Sequence, residues 1–387
     1  MILPPALRRM LPALVIFALI PLVVACVPGA PGTPGASPTP APPLTPAQPG
    51  ADPVSLLAWL FTPIFQAMFI VMVAVYEFLY NAGFPGAIAW AIVVLTLVVR
   101  AVLIPLYRKQ LVSQRRMQLL QPELKEIQRR FKGDSMKVRM AQQELMRERG
   151  VNVLAGCLPL LLQLPLLFIM YSVIQHGLTN VDPTAMLTVA GVQVVPLTCT
   201  NIDPATGLPS AALGPCIDTV IPIFGTQIDV SQPSTIASIA GFGISILAIL
   251  SALLQLVQSR MMLPAADPTN DDPNTRVQRQ MMLFLPIISV VYGGWLPAGL
   301  FIYWIVATIF SIVQQYLIVG WGSMFPLFGW TPAFAVDHTP RFPVDMPPPP
   351  DPSKRSAILT DAEKKTTADK TIRKRERGRQ GRRGRRR

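Results

Sequence analysis

Long apolar runs alternate with charged stretches along most of this 387-residue chain. About 20 predominantly apolar residues suffice for a helix to cross a bilayer, so each long run is a candidate span. The runs that we assign as spans are residues 85–107, 154–174, 236–257, 281–295 and 298–319. The pattern predicts an all-α integral membrane protein with five transmembrane helices.

Lysine and arginine are confined to four parts of the chain, and this distribution predicts the topology. They occur at the extreme N-terminus, in Arg100–Arg149, in Arg260–Arg279 and from Arg341 onward. Basic segments beside spans stay in the cytosol. We therefore expect a cytosolic segment 108–150, an extracytoplasmic loop 175–234, a cytosolic loop 258–280 and a cytosolic C-terminus.

Residues 54–82 are also apolar enough to be counted as a span. A crossing there would place the basic segment 108–150 outside the cell, against the strongest charge signal in the chain. The polar positions of this stretch return to one helix face; they are Ser55, Thr62, Gln66, Glu77 and Asn81. We therefore expect an amphipathic helix at the outer membrane surface, with a true span as the alternative.

The first 53 residues have the organisation of an exported protein. Residues 1–25 carry Arg8 and Arg9 before an apolar core, which is typical of a signal peptide. The ending Val23-Val24-Ala25-Cys26 resembles a bacterial lipoprotein cleavage site, so Cys26 is expected to carry a lipid anchor; an uncleaved signal anchor is the alternative. Residues 26–53 are rich in Pro and Gly and predict an extracytoplasmic tether. The chain is thus expected in a bacterial cell membrane.

The segment 108–150 predicts a cytosolic helical hairpin. Leu120, Leu124, Ile127 and Phe131 form an apolar seam at helical spacing, and Pro122 marks a kink or restart. Lys132-Gly133-Asp134-Ser135 supplies a helix stop followed by N-caps. The hairpin is either a plain spacer between two spans or a movable platform; the methionines that would give the platform an adaptable surface are Met136, Met140 and Met146.

Composition narrows the function classes. Hydrophobic residues make up 51% of the chain and charged residues 14%, with a mean hydropathy of +0.43, which excludes a soluble domain. The sequence contains neither a phosphate-binding loop nor a catalytic constellation. The two histidines, His176 and His338, are far apart and are expected at the surface. We therefore expect no enzymatic activity, no cofactor and no metal site.

Two of the polar residues inside predicted spans interrupt otherwise apolar runs. Arg100 is a cation within an apolar run, which costs roughly 2.5 to 3.5 kcal/mol near the centre of a spanning helix. It either faces a polar cavity or extends toward the cytosolic headgroups. Gln163 lies among leucines and needs a partner inside the helix bundle.

The predicted outer loop contains two of the four cysteines, Cys199 and Cys216. A disulfide closing a loop of this size contributes about 3 kcal/mol in the chain-entropy model. The pair is either bonded or present as free thiols.

Several motifs together resemble the YidC family of membrane protein insertases. They are Ala91–Leu106, Met117–Gln128, Gly150–Pro165, and Leu296–Trp304 with Ile312–Tyr316. The resemblance covers about residues 54–321. A large extracytoplasmic domain between the first helices is missing, so the chain resembles the shorter, lipoprotein-type bacterial members.

The resemblance implies a groove formed by five helices, open to the cytosol and to lipid but closed on the outside. Arg100 would be its positive centre. The candidate polar lining residues are Gln163, Gln255, Trp304, Gln314 and Gln315. A hydrophilic part of a nascent membrane protein would enter the groove while its apolar segment moves into lipid, without nucleotide hydrolysis. A secondary transporter and a chaperone that only helps spans to pack are the other classes to be tested.

Residues 322–387 are expected to form a disordered cytosolic tail, first Pro-rich and then basic. The block expected to bind polyanions is Arg373, Lys374, Arg375, Arg382, Arg383, Arg385, Arg386 and Arg387. Its candidate ligands are the RNA of a translating ribosome and anionic lipid headgroups. The other expected partners are nascent membrane proteins, membrane lipids and the general secretion translocon.

Overall fold

The computed structural model of the chain describes most of the region from residue 53 to residue 345. The described residues are 46, 53–131, 133–149, 151, 158–210, 213–223, 225–239, 242–262, 280, 282, 284, 286–325, 330–336 and 338–345. The signal peptide, Cys26, most of the tether, most of the loop 258–280 and the basic tail lie outside these ranges.

Helices dominate the described part of the chain. They are α1 (Pro53–Asn81), α2 (Ala87–Val102), α3 (Ile104–Leu119), α4 (Gln121–Arg130), α5 (Ser135–Glu148), α6 (Leu158–Ser172), α7 (Ile246–Met262), α8 (Ala298–Val319) and the short α9 (Ala333–Val336), with a further helical segment at 286–291. Among the described residues, Trp59–Asn81 and α8 are each long and apolar enough to cross a membrane, and the bent pair α2–α3 is a third candidate. The chain is thus a mostly helical membrane protein.

Three small antiparallel hairpins accompany the helices. Their strands are β1 (Thr188–Val189), β2 (Val192–Gln193), β3 (Val220–Ile223), β4 (Thr226–Asp229), β5 (Ala237–Ile239) and β6 (Phe242–Ile244). Thr188 is opposite Gln193, Val220 opposite Asp229, and Ala237 opposite Ile244. The first two hairpins belong to the predicted outer loop, where Cys199 and Cys216 form a disulfide with their Cα atoms 4.4 Å apart.

The predicted span 85–107 is a broken helix. Gly86 starts α2 in a left-handed conformation (φ 67°), α2 ends at Val102, and α3 continues after a bend of 65°. Pro105 lies in the first turn of α3 and has no N–H to donate to the preceding turn. The bend places the C-terminal turn of α2, with Arg100, at the corner between the two helices.

The predicted span 236–257 differs from the structure at its start. Ala237–Ile239 and Phe242–Ile244 pair as β5 and β6, and α7 begins only at Ile246 and runs on to Met262. A side chain at Gly243 would clash with the backbone of Gly294, so the chain meets a neighbouring turn there at a distance that glycine alone permits. The turn Tyr292–Gly294 also ends the helical segment of the predicted span 281–295.

The apolar core joins α1, α2, α6 and α8 with the predicted outer loop. Its largest fully buried side chains include Phe69 and Tyr76 from α1, Ile92 and Leu95 from α2, and Met170 from α6. Leu95 is the last fully buried apolar residue of α2, one turn before Arg100. The core therefore ends where the polar residues begin.

The polar contacts of α1 go to the predicted outer loop. The Gln66 amide donates to the carbonyl oxygen of Thr188 at 3.0 Å, and the Glu77 carboxylate accepts from the backbone N–H of Thr198 at 2.6 Å. The Tyr76 hydroxyl accepts from the backbone N–H of Asp218 at 3.1 Å. Three contacts spread over three turns of α1 thus join it to one loop.

The segment 108–150 contains α3, α4 and α5. Asp134 caps α5 by accepting from the backbone N–H of Lys137 at 3.2 Å, and this hydrogen bond lowers the pKa of Asp134. A small core packs α4 against α5; its members are Leu120, Leu124, Leu145, Met146 and Val151, with Met117 and Ile127 beside them. Met146 is therefore buried, whereas Met136 and Met140 are exposed. Only two of the three methionines offer a free surface.

Parts of the tail that was expected to be disordered, residues 322–325, 330–336 and 338–345, have defined contacts. The His338 ring stacks on Tyr316 with centroids 4.6 Å apart, and the Phe342 backbone N–H donates to the Leu317 carbonyl oxygen at 2.9 Å. Aromatic residues spaced along a Pro-rich stretch thus hold it against α8. The histidines are also not the plain surface residues expected: His338 is half-buried, and so is His176, whose pKa is lowered by burial.

Candidate functional site

Arg100 is buried in the C-terminal turn of α2 with 5% of its surface exposed. Its Nη1 donates to the hydroxyl of Ser311 on α8 at 3.0 Å, and its guanidinium carbon lies 4.7 Å from the ring centre of Tyr107. None of the ion pairs between described residues involves Arg100. The cation is therefore held by a hydroxyl and an aromatic ring instead of a carboxylate.

Tyr303 joins Arg100 to a third helix. Its hydroxyl accepts a hydrogen bond from the Gln163 amide of α6 at 3.1 Å and lies beside the Arg100 guanidinium. Only 1% of the Tyr303 side chain is exposed. The helices α2, α6 and α8 thus meet around one polar cluster inside the bundle.

A line of polar atoms without hydrogen-bond partners leads away from this cluster. Within the described part of the chain, these buried atoms are Arg100 Nε, Tyr107 Oη, Gln110 Nε2, Gln114 Oε1 and Gln315 Oε1. The three on α3 follow one another by three and four residues, which places them on one helix face. Buried polar groups are normally satisfied by protein or by water, so these atoms indicate a hydrated path.

We name this set the polar seam: Arg100, Tyr107, Gln110, Gln114, Tyr303, Ser311 and Gln315. It lies between α2 and α3 on one side and α8 on the other, and α6 reaches it through Gln163. In such a poorly solvated place a fixed positive charge acts more strongly than in water. The seam can therefore attract and solvate a polar or acidic segment.

The structure brings some predicted lining residues together and keeps others apart. Gln163 and Gln315 lie in or next to the seam. Gln255 instead donates to the Ser251 hydroxyl and accepts from the Ser289 hydroxyl, both at 3.0 Å, in a second polar cluster between α7 and the segment 286–291.

The remaining two candidates, Trp304 and Gln314, both lie on α8. Trp304 is half-buried and meets Phe301 edge to face with centroids 5.5 Å apart, and Gln314 is half-buried. A lining role for Trp304, Gln314 or Gln255 stays a prediction. The predicted lipid attachment at Cys26 and the basic block 373–387 lie outside the described residues.

Sequence reasoning missed Tyr107, Tyr303 and Ser311. Tyr107 lies on α3, beyond the 65° bend from Arg100, so the spacing of these two residues does not place them on one helix face. Tyr303 and Ser311 lie on α8 among mostly apolar residues, and no periodicity along α2 points to them. The sequence therefore carried no local signal for this part of the site.

Known proteins resemble this chain over the same region. The family model described as "60Kd inner membrane protein" matches residues 78–322. A relative from Wolinella succinogenes named "Membrane protein insertase YidC" is 30% identical over 253 residues, covering 65% of this chain and 36% of its own length. A relative of the same name from Campylobacter jejuni is 30% identical over 70% of this chain and 40% of its own length.

A plant protein is similar as well. "Inner membrane protein ALBINO3, chloroplastic" from Arabidopsis thaliana is 28% identical over 80% of this chain and 63% of its own length. The chain spans about two fifths of the length of the bacterial relatives named above. The bacterial names describe the insertion of membrane proteins and no enzymatic reaction.

Proposed function

Because the chain belongs to the 60Kd inner membrane protein family, the family of YidC, Oxa1 and Alb3, we propose that it inserts proteins into a membrane. The two bacterial relatives described above are named as insertases, not as enzymes. The proposed site is the polar seam, acting as the wall of a groove that opens to the cytosol and to lipid. The same groove would serve as a chaperone surface while a span is being placed.

The observation that carries the proposal is a buried guanidinium without a carboxylate among the described residues, at the head of a line of unpartnered polar atoms. Ser311 and Tyr107 hold the guanidinium without neutralising its charge, so the positive charge can act on a passing segment. Arg100 would attract the hydrophilic or acidic part of a nascent chain, and the seam would replace its lost water.

The energy for insertion would come from the substrate. A span of about 20 apolar residues gains roughly 6 to 12 kcal/mol on the biological insertion scale, at 0.3 to 0.6 kcal/mol per residue. One charge near the bilayer centre costs about 2.5 to 3.5 kcal/mol on that scale. Burial of the apolar segment therefore outweighs the transfer of one charge throughout this range and of two charges over most of it, so nucleotide hydrolysis is not required.

The proposed topology has five spans with α1 on the outer surface. The contacts of Gln66, Tyr76 and Glu77 with the outer loop support this placement, because a helix crossing the bilayer would carry these residues to different depths. We further propose an N-terminal signal peptide, a lipid anchor on Cys26, a cytosolic C-terminus and a bacterial inner or plasma membrane as the location.

The proposed partners are nascent membrane proteins, the surrounding lipids, the translating ribosome and the general secretion translocon. The basic block from Arg373 to Arg387 supports the ribosome as a partner, since a tail tethered near the groove would hold RNA there. Anionic headgroups compete for the same charges.

Reconstitution tests the proposal. The purified chain in liposomes should insert single-span and double-span test proteins that carry an acidic polar tail, and Arg100→Ala should lower the rate at least tenfold. Arg139→Ala, on the exposed side of α5, is the matched control and should insert at the unsubstituted rate. Failure of every form, including the unsubstituted chain, would favour a packing chaperone, and proton-coupled solute uptake would favour a transporter.

A further inference from the structure

Residues 330–336 and 338–345, here named the strap, bridge two helices of the seam. On α8, the strap stacks His338 on Tyr316 with centroids 4.6 Å apart and donates the Phe342 N–H to the Leu317 carbonyl at 2.9 Å. On α3, the Arg108 guanidinium lies 5.5 Å from the ring centre of the same Phe342. One segment of the chain therefore holds α3 and α8 together.

The turn that precedes the strap is fixed differently. Gly322 has a positive φ of 56°, and a side chain there would clash with the carbonyl oxygen of Met261. The Ser323 hydroxyl donates to the carbonyl oxygen of Arg260 at 2.7 Å. These contacts with Arg260 and Met261 hold the turn against the C-terminal end of α7. The strap is attached mainly by ring contacts. The strap can therefore detach while the turn stays in place.

Two buried nitrogens oppose the attachment of the strap. Trp321 Nε1 and His338 Nε2 are both buried and have no hydrogen-bond partner within the described ranges. Detachment would return both atoms to water, which satisfies a buried polar group at once. The ring contacts thus favour the attached strap, and the two unsatisfied nitrogens favour the detached one. Such opposing contributions are expected of a reversible contact.

The anchor points lie directly beside the seam. Arg108 follows the seam residue Tyr107, and Tyr316 follows the seam residue Gln315. Arg108 is eight residues beyond Arg100, or at most about 12 Å along the helix axis at helical rise. The strap thus joins the two walls beside the unpartnered polar line, next to Tyr107 on α3 and Gln315 on α8.

Tethering of the basic tail is a weaker explanation for the strap. Arg373 follows the anchor Phe342 by 31 residues and the fixed Trp321 by 52. Effective concentration falls roughly as the −3/2 power of tether length, so detachment would lower it only about twofold. A mechanical role at the mouth of the seam is therefore the larger effect.

We propose that the strap is a reversible clasp that closes the cytosolic mouth of the groove and opens when a polar substrate segment enters. The clasp rests on the proposed insertase function. Its occupant is the strap of this same chain, and its receptor is the surface formed by Arg108, Tyr316 and Leu317.

A crosslink between the strap and α8 tests the clasp. In a chain with Cys26 and Cys157 replaced by Ser, Leu317→Cys and Arg341→Cys place two thiols within reach of a short bis-maleimide, because the Phe342 N–H donates to the Leu317 carbonyl oxygen at 2.9 Å. These substitutions keep the stack of His338 on Tyr316. We expect efficient crosslinking at rest and a several-fold decrease when a stalled single-span substrate is bound. The crosslinked protein should insert the test protein at least fivefold more slowly than the same protein capped with N-ethylmaleimide.

Each result points in one direction. Equal insertion by the crosslinked and capped forms, or no crosslink at rest, would overturn the clasp while leaving the insertase proposal intact. No insertion by any form, including the unsubstituted chain, would instead sink the insertase proposal and the role of the clasp with it.

A second pair of variants tests docking of the strap without a crosslink. Phe342→Ala should raise the maleimide reactivity of a cysteine at His338 several-fold, because it removes the contact with Arg108. Val336→Ala is the matched control, since Val336 is 63% exposed on the same strap. Unchanged reactivity in Phe342→Ala would contradict the clasp.

Discussion

The hydrogen bond between Tyr303 and Gln163 offers a quantitative test of the polar cluster. Tyr303→Phe removes a single oxygen and keeps the ring, so it opens no cavity in the surrounding core. Gln163→Leu removes the donor at nearly constant volume. The two changes and their combination form a double-mutant cycle.

The expected magnitudes follow from the burial of the two side chains. Tyr303→Phe leaves the Gln163 amide without its acceptor at 3.1 Å, which costs about 1 to 3 kcal/mol for a buried donor. Because Gln163 is half-buried, water can replace part of the lost hydrogen bond. We therefore expect Tyr303→Phe to lower the free energy of unfolding by about 1 kcal/mol. Hydrogen bonds between membrane helices show coupling energies of about 0.6 kcal/mol on average and at most about 1.7, and we expect a value in that range.

The assay is reversible unfolding of the reconstituted protein by denaturant, with Tyr171→Phe as the control. Tyr171 is a half-buried tyrosine on α6 outside the polar cluster, and its substitution should cost less than about 0.5 kcal/mol, as do most changes away from special features. Additive effects of Tyr303→Phe and Gln163→Leu, with no coupling beyond about 0.3 kcal/mol, would refute the bond in the membrane.

Two further predictions concern regions outside the spans. Replacing Cys199 and Cys216 by Ser should cost about 3 kcal/mol in the chain-entropy model, measured by thermal unfolding, whereas Cys157→Ser should change stability little; equal effects would contradict a bonded pair. The hydrogen bond from Lys137 keeps the pKa of Asp134 below its usual value, so the cap contributes fully above about pH 4 and is lost as pH falls through the folded-state pKa. Circular dichroism should show that the unsubstituted chain loses helix content as pH falls. Asp134→Asn should make this loss smaller, and an equal loss in both proteins would refute the cap.

Single polar residues in apolar runs were the part of the site that the sequence could predict. Arg100 and Gln163 stand out because a charge or an amide in a span needs a partner, and the structure gives each of them one. The partners themselves, Ser311 and Tyr303, come from α8, more than a hundred residues further along the chain. Which polar residues meet is decided by helix packing, and the pattern along one helix contains no information about it.

Some element boundaries also depended on tertiary contacts. Residues 236–244 are apolar, and a short apolar run does not distinguish a helix from a hairpin. The close approach of Gly243 to Gly294 favours the hairpin. Because this contact joins two segments that are far apart in the chain, the local sequence does not predict it. The bend after Val102, by contrast, had a local signal in Pro105.

Composition alone does not predict the folded part of the tail. Prolines and charges predict disorder on average, but His338 and Phe342 each supply a specific contact to α8. Average composition hides such anchors because they are few and widely spaced.

Water access to the seam is the most direct test of the account. Ser311→Cys and Gln315→Cys, in a chain with Cys26 and Cys157 replaced by Ser, would be exposed to a charged, membrane-impermeant maleimide in inverted vesicles. Val313→Cys, on the outer side of α8 with Val313 52% exposed, is the lipid-facing control. The account predicts that the cysteine at Gln315 reacts fastest, the one at Ser311 more slowly but measurably, and the one at Val313 not at all. Protection of both seam positions to the level of Val313→Cys would contradict a hydrated groove around Arg100.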